Sequence, residues 1–370
     1  MVNPSAAFLV LAAAITAQAA DPLVYIGTYT RNKSKGIYAF RLSEADGKLT
    51  PLGLAAETTS PSFLALHPTG KFLYAVNEVG EFKGEKAGSV SAFSVDGATG
   101  KLTLLNVVSS KGGGPCHISI DPSGQTALVA NYGGGSIASY AIGEDGRLSE
   151  AVTFIQHKGS SVNPARQREP HAHSINIDAK RKRAVVADLG LDKLFFYNLD
   201  ADKHTITEGV SIALPPGSGP RHYAAHPNGR YGYVINEMLL TVAAVDLTKN
   251  PPAIFQSVST IPEKAQPSYS TAEVVVHPNG KFLYGSNRGH DTIASFSVDP
   301  KTGKLTPIGH TSTKGKTPRN FAIDPTGKYL IAANQDSDNI VVFRIEDDGD
   351  LTPLGISVEV GMPVCIRFLK

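Results

Sequence analysis

Histidine, arginine and glutamate side chains that could do chemistry recur in a repeated sequence. They lie at or next to two fixed positions of the repeat, a few residues before its tight turn and at the end of the strand that follows the turn. Histidine and glutamate can transfer protons, whereas arginine can stabilise an anion or a developing negative charge. The combination favours acid–base chemistry on a small molecule that carries negative charge. The side chains at these places are His117, His171, His173, Arg221, His222, Glu237, Glu273, Arg288 and Arg319, together with Glu78, Asn320 and Gln335.

The repeated sequence is clearest at residues 277–287, HPNGKFLYGSN, and its relatives begin at residues 67, 121, 178, 226 and 324. Each copy begins with His or Asp, usually continues as a Pro- and Gly-containing tight turn, and runs on as an apolar strand. The copies lie about fifty residues apart, a period typical of the four-stranded blade of a β-propeller. We expect His67, His226 and His277 to stabilise these turns rather than to act in catalysis.

The two ends of the chain each hold part of one blade. Residues 24–30 (VYIGTYT) and 36–42 (GIYAFRL) match second and third strands, whereas residues 363–369 (PVCIRFL) match a first strand. Pairing these ends completes a seventh blade and removes two open sheet edges. The predicted fold is therefore all-β, a seven-bladed β-propeller whose ring is closed by its carboxy-terminal strand, in one domain spanning residues 21–370.

The geometry of such a ring predicts where the polar side chains meet. Neighbouring strands of a blade are antiparallel, so the first strand starts at the same end of the blade at which the second strand finishes. This end is termed the top. Because innermost strands converge on the axis, we expect all these side chains to form one funnel at the top of the central channel. The long basic loop at 156–169 emerges there too, either as a lid or as an ordinary mobile loop.

The first twenty residues predict a secretory signal. Residues 6–15 form an apolar run, and the following Ala-Gln-Ala at 17–19 has the small-x-small form of a cleavage site. We expect residues 1–20 to be removed and the protein to be periplasmic or secreted, or cytoplasmic if the leader is not cleaved. No later segment reaches the roughly 18 apolar residues of a transmembrane helix, so no membrane association is expected after cleavage.

Composition restricts the partners. A net charge of +2 over 370 residues gives no case for binding nucleic acid. Cys116 and Cys365 lie on first strands of different blades, so we expect two free, buried thiols rather than a disulfide. The expected partner is a small molecule, bound by a monomer that uses no cofactor.

Several segments together resemble the seven-bladed lactonase family, which includes the propeller-type 6-phosphogluconolactonases and carboxymuconate cyclase. They are YIGTYT at 25–30, the HPxGKFLYxxN repeats, GPCHISIDPSG at 114–124, EPHAHSINID at 169–178, GPRHYAAHPNG at 219–229 with the following NE, and SNRGHDTIASF at 286–296. The resemblance covers essentially all of residues 21–370. It implies a metal-independent catalytic site made of His173, Arg221, Glu237 and Arg288. The other side chains of the funnel are assigned to substrate binding, namely His117, His171, His222, Glu273, Arg319, Asn320 and Gln335.

The resemblance implies opening of an acidic sugar lactone or a related lactone. We interpret Glu237 as the general base and His173 as its acid–base partner, with the reverse assignment left open. Arg221 would stabilise the oxyanion or a carboxylate, and Arg288 would anchor an acidic group. Two alternatives remain: a lactone-forming cycloisomerase, which runs related chemistry in the opposite direction, and a propeller that binds a ligand without catalysis.

A chelator should leave the activity intact. The candidate carboxylates are interleaved with arginines in the repeats, whereas a calcium or magnesium site needs clustered oxygen ligands. Lactone turnover would be measured before and after dialysis against EDTA, and then after addition of calcium. Loss of turnover with recovery on calcium would instead indicate a metal-dependent lactonase.

Overall fold

The computed structural model describes residues 21–262 and 264–369, and the predicted signal peptide at residues 1–20 lies outside this part of the chain. Almost all regular structure in the described residues is β-strand. Two single-turn 3-10 helices, Ala179–Arg181 and Gln335–Ser337, are the exceptions. None of the helices in these residues has the length and apolar character to span a membrane.

The strands follow one another with short connections, as the repeat predicts. In chain order they are β1 Leu23–Thr28, β2 Gly36–Leu42, β3 Leu49–Glu57, β4 Pro61–Leu66, β5 Phe72–Asn77, β6 Ser89–Val95, β7 Leu102–Ser109, β8 Pro115–Ile120, β9 Thr126–Asn131, β10 Ser136–Ile142, β11 Leu148–Gln156, β12 Ala172–Asp178, β13 Arg183–Asp188, β14 Lys193–Asp200, β15 Thr205–Ala213, β16 Pro220–Ala225, β17 Tyr231–Asn236, β18 Thr241–Asp246, β19 Ala253–Ser259, β20 Ser270–Val276, β21 Phe282–Arg288, β22 Thr292–Val298, β23 Leu305–Ser312, β24 Pro318–Ile323, β25 Tyr329–Asn334, β26 Asn339–Ile345, β27 Leu351–Glu359 and β28 Pro363–Leu369.

These strands form seven four-stranded sheets, one for each blade. Blades one to six are built from consecutive strands, β4–β7 through to β24–β27, and blade seven has the order β28-β1-β2-β3. Antiparallel pairing of β28 with β1 sets Leu369 opposite Leu23 and Ile366 opposite Ile26. The predicted seven-bladed propeller, closed by its two chain ends, is confirmed.

Apolar side chains pack between neighbouring blades and form the core. The second strands are almost wholly buried because a blade packs against both of its neighbours. Large aromatic residues such as Tyr74 and Tyr284 are fully buried in these layers. Their hydroxyls donate hydrogen bonds at 3.0 Å to the carbonyl oxygens of Gly146 and Gly349, each in a turn of the next blade. The core thereby gains apolar burial without leaving these buried hydroxyls unpaired.

The repeated histidines lie in the bottom turns, as predicted. Nε2 of His67, His226 and His277 is 2.8–2.9 Å from the carbonyl oxygen of a glycine in the corresponding turn of the next blade. Nδ1 of His226 accepts a hydrogen bond from the backbone N–H of Asn228, which tightens the turn itself. These histidines stabilise turns and connect successive blades, far along the strands from the top.

A β-bulge at the top of the first strands aims the side chains of the site. In β16 the register passes from Pro220 directly to His222, so Arg221 has no partner on β17. His173 in β12 and Arg319 in β24 are unpaired in the same way. Because a bulge inserts an extra residue and bends its strand, it turns that residue out of the ordinary alternation of side chains. The bulged residues therefore point differently from their immediate successors.

Both cysteines are free and buried, which confirms the prediction. Cys116 is the bulged residue of β8, whereas Cys365 lies within the regular pairing of β28 and receives a hydrogen bond from the backbone N–H of Leu64. Burial raises the pKa of both thiols, so they are protonated at neutral pH.

Removal of residues 361–370 should make the protein aggregate. The deletion takes away β28, the innermost strand of blade seven, which pairs with β1 and contacts β4 and β24 on either side. Open sheet edges are templates for association with other chains. Size-exclusion chromatography and light scattering of the truncated and full-length chains would measure this, and a truncated monomer with unchanged thermal stability would contradict it.

Candidate active site

A cavity of about 300 Å³ opens at the top of the channel. Four of the predicted catalytic and binding residues line it, together with Glu78 of the predicted funnel and with side chains that the sequence did not place there. The lining residues are Glu78, Cys116, Tyr132, Arg166, His173, Glu237, Ser270, Arg288 and Arg319. The starts of first strands and the ends of second strands thus locate the cavity in the sequence, but they do not identify all of its walls.

Glu237 lies at the centre of an ion cluster in one wall of this cavity. Its Oε1 accepts a hydrogen bond from Nη2 of Arg166 at 2.7 Å. Its Oε2 is 3.1 Å from Nε of Arg221 and 3.0 Å from Nη2 of Arg288. Three guanidiniums, carried by a loop, by β16 and by β21, therefore surround a carboxylate that is only 5% exposed.

The ion cluster keeps Glu237 ionised. Burial by itself raises the pKa of this carboxyl group, but the positive charges of Arg288, Arg221 and Arg166 outweigh burial and lower the pKa to about 2. The backbone holds the residue in place as well, since its N–H donates to Gly219 O at 2.7 Å. At neutral pH the group is a fixed negative charge and a weak base.

His173 lies next to this carboxylate. Its Nε2 is 3.9 Å from Oε2 of Glu237, and its Nδ1 is 3.7 Å from Sγ of Cys116. The side chain is buried, and burial together with the charge of Arg221 holds the pKa of His173 well below its usual value. The imidazole is therefore neutral at pH 7 and can accept a proton.

Arg221 supports the carboxylate from behind rather than facing the cavity. It is 2% exposed, and it is absent from the cavity walls. Besides its contact with Glu237, it donates from Nη1 to the carbonyl oxygen of Ala272 at 2.7 Å. Burial and the neighbouring Arg319 and Arg288 lower its pKa to about 10.

Arg166 lies on the loop between β11 and β12. Comparison of equivalent strand ends in the repeats therefore could not identify it as a site residue. Its Nη2 donates to Glu237 and also to the hydroxyl of Tyr132 at 3.1 Å. The side chain remains 42% exposed, so it stands at the mouth of the cavity. The sequence signal was the unusual length and basic character of the loop at 156–169, which places the Arg166 guanidinium at the mouth of the site.

Buried contacts fix this loop. Nδ1 of His157, at the start of the loop, is 2.6 Å from Oδ2 of Asp188, and its Nε2 is 2.9 Å from the hydroxyl of Tyr197. Gln167, which follows Arg166, is fully buried and donates to Leu189 O at 2.8 Å. The described contacts favour a fixed arm over the lid that the loop length allowed.

Arg319 occupies another part of the cavity wall. Its guanidinium lies over the ring of Tyr29, 5.4 Å from the ring centre, and the Tyr29 hydroxyl is 3.0–3.1 Å from both oxygens of Glu78. Burial acts to lower the pKa of Arg319, but Tyr29 and Glu78 outweigh burial and raise it. Tyr29 follows β1 as Glu78 follows β5, so the repeat contained the signal for this residue.

The remaining predicted residues lie in a different layer, which corrects the expectation of a single funnel. His117, His222 and Glu273 line a second cavity, of about 450 Å³, that extends towards the bottom turns. His117 and His222 follow the bulged residue of their first strands, and alternation directs them away from the top cavity. In β20 the register passes from Thr271 to Val274, so Glu273 lies within the irregular stretch itself. Nδ1 of His222 is 2.8 Å from Glu273, and Asn320 donates a hydrogen bond to the same carboxylate.

Besides Arg221 and Asn320, which support residues of the cavity walls, two further predicted residues line neither cavity. His171 stacks on Tyr132, with ring centres 4.5 Å apart, and its Nδ1 is 3.0 Å from Tyr132 O. Gln335 donates to Asp336 at 2.8 Å, in the 3-10 turn after β25. Because neither side chain lines the top cavity, their role in substrate binding stays a prediction.

The family model of the seven-bladed β-propeller lactonases matches residues 23–368. The chain belongs to this lactonase family. The 6-phosphogluconolactonase of Bacillus subtilis is 37% identical over 350 residues, which cover 93% of this chain and 97% of that protein. The 6-phosphogluconolactonase of Formosa agariphila is 38% identical over 81% of this chain and 86% of its own length.

A solved structure agrees with these relatives. The periplasmic gluconolactonase PpgL of Pseudomonas aeruginosa has a TM-score of 0.89 and 32% identity, covering 94% of this chain and 99% of the other. The resemblance read from the sequence is confirmed, and with it the class of enzyme, a lactone hydrolase of the propeller type. Within residues 21–262 and 264–369, no three histidine, cysteine or acidic side chains come together as a metal site requires.

Proposed function

We propose that this protein hydrolyses a sugar lactone in the top cavity, with His173 and Glu237 as its acid–base machinery. The observation that carries the proposal is the neutral, buried His173 beside a carboxylate that three arginines keep ionised. Lactone opening needs a base for the attacking water and a proton for the departing alkoxide. A neutral imidazole next to a fixed negative charge can serve both steps.

The charges favour His173 over Glu237 as the general base. A carboxylate with a pKa of about 2 has little affinity for a proton at neutral pH. His173 is also a weaker base than an ordinary histidine, but the contacts of its ring nitrogens within residues 21–262 and 264–369 are with Cys116 and Glu237 and not with a guanidinium. In this assignment, which reverses the one preferred from the sequence, Glu237 stabilises the imidazolium that forms when His173 takes the proton from water.

The substrate we propose is a gluconolactone-type sugar lactone, with an acidic one favoured. Two similar proteins are 6-phosphogluconolactonases, and the structurally similar PpgL is a gluconolactonase. The cavity walls carry Arg166, Arg288 and Arg319 but only Glu78 and Glu237 as acidic groups, and Arg221 lies directly behind. This excess of positive charge favours an anionic substrate and an anionic product.

We also propose that the enzyme acts outside the cytoplasm, as a monomer. The support is the apolar leader with its small-x-small motif in residues 1–20 and the periplasmic location stated for PpgL. A phosphorylated sugar lactone is a cytoplasmic metabolite, so export favours a non-phosphorylated sugar lactone. Cell fractionation of the full-length chain against a chain that lacks residues 1–20 tests the location.

A panel of lactones tests the function. Purified protein would be incubated with glucono-1,5-lactone, 6-phosphogluconolactone and simple aliphatic lactones, and release of acid would be followed against the uncatalysed rate. Turnover of a sugar lactone supports the proposal. Absence of turnover on all of them, with binding still detectable by calorimetry, would favour a ligand-binding propeller instead.

Variants at the two central residues should lose turnover. His173→Gln and Glu237→Gln remove the base and its fixed charge, so we expect kcat to fall by about 10² to 10⁴-fold, the usual range for acid–base groups. Glu169→Gln is the matched control, because Glu169 is an exposed carboxylate on the loop at the same end. Circular dichroism would establish that each variant is folded, and parent-like rates for both central variants would contradict this site.

The pH profile distinguishes the two assignments of the base. If His173 is the base, it must be neutral, so kcat/KM should be flat around neutral pH and fall as the pH drops through the His173 pKa, below its usual value of about 6.5. If Glu237 were the base, activity would persist until the pH approached the pKa of that group, about 2. Initial rates from acidic to neutral pH, with thermal unfolding measured in parallel, decide between them.

A further inference from the structure

Arg319 is the guanidinium of the top cavity that has no acceptor. Arg166, Arg221 and Arg288 each contact the carboxylate of Glu237. Within the described residues, Arg319 makes no hydrogen bond or ion pair, although it is partly buried and lines the same cavity as His173. Nearby Glu78 stabilises the charge of Arg319, but the N–H groups of Arg319 have no acceptor among the described residues, so they are available to an anion that enters the cavity.

The surroundings of Arg319 hold it in position. It is the bulged residue of β24, and it lies over the ring of Tyr29, whose hydroxyl contacts both oxygens of Glu78. Tyr29 is buried, so the aromatic face cannot turn away. A contact with the ring face uses the charge of the guanidinium and none of its N–H donors.

Hydrolysis of a lactone makes the anion that Arg319 lacks. The carbonyl oxygen gains negative charge when water attacks, and the product is a carboxylate. Arg221, which the family resemblance suggested for this role, lies behind Glu237 and donates to Glu237 and to Ala272 O. We propose that Arg319 is a further catalytic residue, which binds the lactone carbonyl oxygen as charge develops and then the product carboxylate; this inference rests on the hydrolysis proposed above.

The oxygen of water forms a bond to the carbonyl carbon, its proton moves to the imidazole of His173, and the carbonyl π electrons move onto the oxygen that faces Arg319. The ring C–O bond then breaks, the ring oxygen takes the proton back from His173, and the second proton of the water is released from the new carboxylic acid. The carboxylate that remains faces the same guanidinium.

The test replaces Arg319 by a side chain of similar length without charge. Arg319→Met should lower kcat by about 10² to 10³-fold, the scale for one oxyanion donor, on neutral glucono-1,5-lactone and on 6-phosphogluconolactone alike. Arg319→Lys should recover part of the loss, because it restores the charge but not the planar fork of donors. Inhibition by gluconate, the product of the neutral lactone, should weaken in Arg319→Met as well.

Arg31→Met is the matched control. The Arg31 guanidinium also lies 5.4 Å from the centre of the Tyr29 ring, but it is exposed and outside the cavity walls. This variant should turn over both lactones close to the parent rate. An equal loss in both variants would mean that the substitutions act through Tyr29, which overturns the proposal.

Two further results would overturn this inference and leave the proposed function intact. A loss confined to 6-phosphogluconolactone would make Arg319 an anchor for the phosphate instead of an oxyanion donor. Parent-like rates for folded Arg319→Met on both lactones would remove it from the reaction. A parent enzyme that opens neither lactone, by contrast, would overturn the proposed function itself.

Discussion

The pairing of β28 with β1 is the contact on which the rest of the structure depends. It joins the two ends of the chain and closes the ring, and only a closed ring brings the first strands of all blades next to one another around the axis. The site has no local sequence of its own, since His173, Glu237 and Arg288 come from blades three, four and five. Their meeting is therefore a consequence of closure.

A second constraint acts inside the closed ring, the neutralisation of charge. Glu237 and Arg221 are almost fully buried, and either one alone would be strongly destabilising in that position. Together with Arg166 and Arg288 they form a cluster in which each oxygen of the carboxylate has a donor. The cluster fixes the carboxylate and keeps it ionised, which is why we assign the role of base to the neutral imidazole beside it.

The sequence was sufficient for the fold and for part of the site. A repeat of about fifty residues and two incomplete end segments define the blades and their closure. Glu237 and Arg288 were placed correctly in the top cavity because they lie at the top ends of second strands, where the bulges of the first strands do not change the direction of a side chain. The bulge itself occurs in nearly every first strand, so comparing the copies could not reveal it, and residues after it, such as His222, were assigned to the wrong layer. Arg166 lies on a loop without a repeat, and its contacts depend on tertiary structure alone.

The layer that contains His222, Glu273 and Asn320 nevertheless forms part of the surroundings of His173. Glu273 is held by His222, by Asn320 and by the backbone N–H of Val274, so its charge is satisfied within the layer. The layer forms the floor of the top cavity, where the ring of His222 lies 5.5 Å from that of His173. His173 is itself buried, between the top cavity and this layer. The lowered pKa of His173 is a result of that burial, so residues that do not line the top cavity set the protonation state of the group that we assign as base.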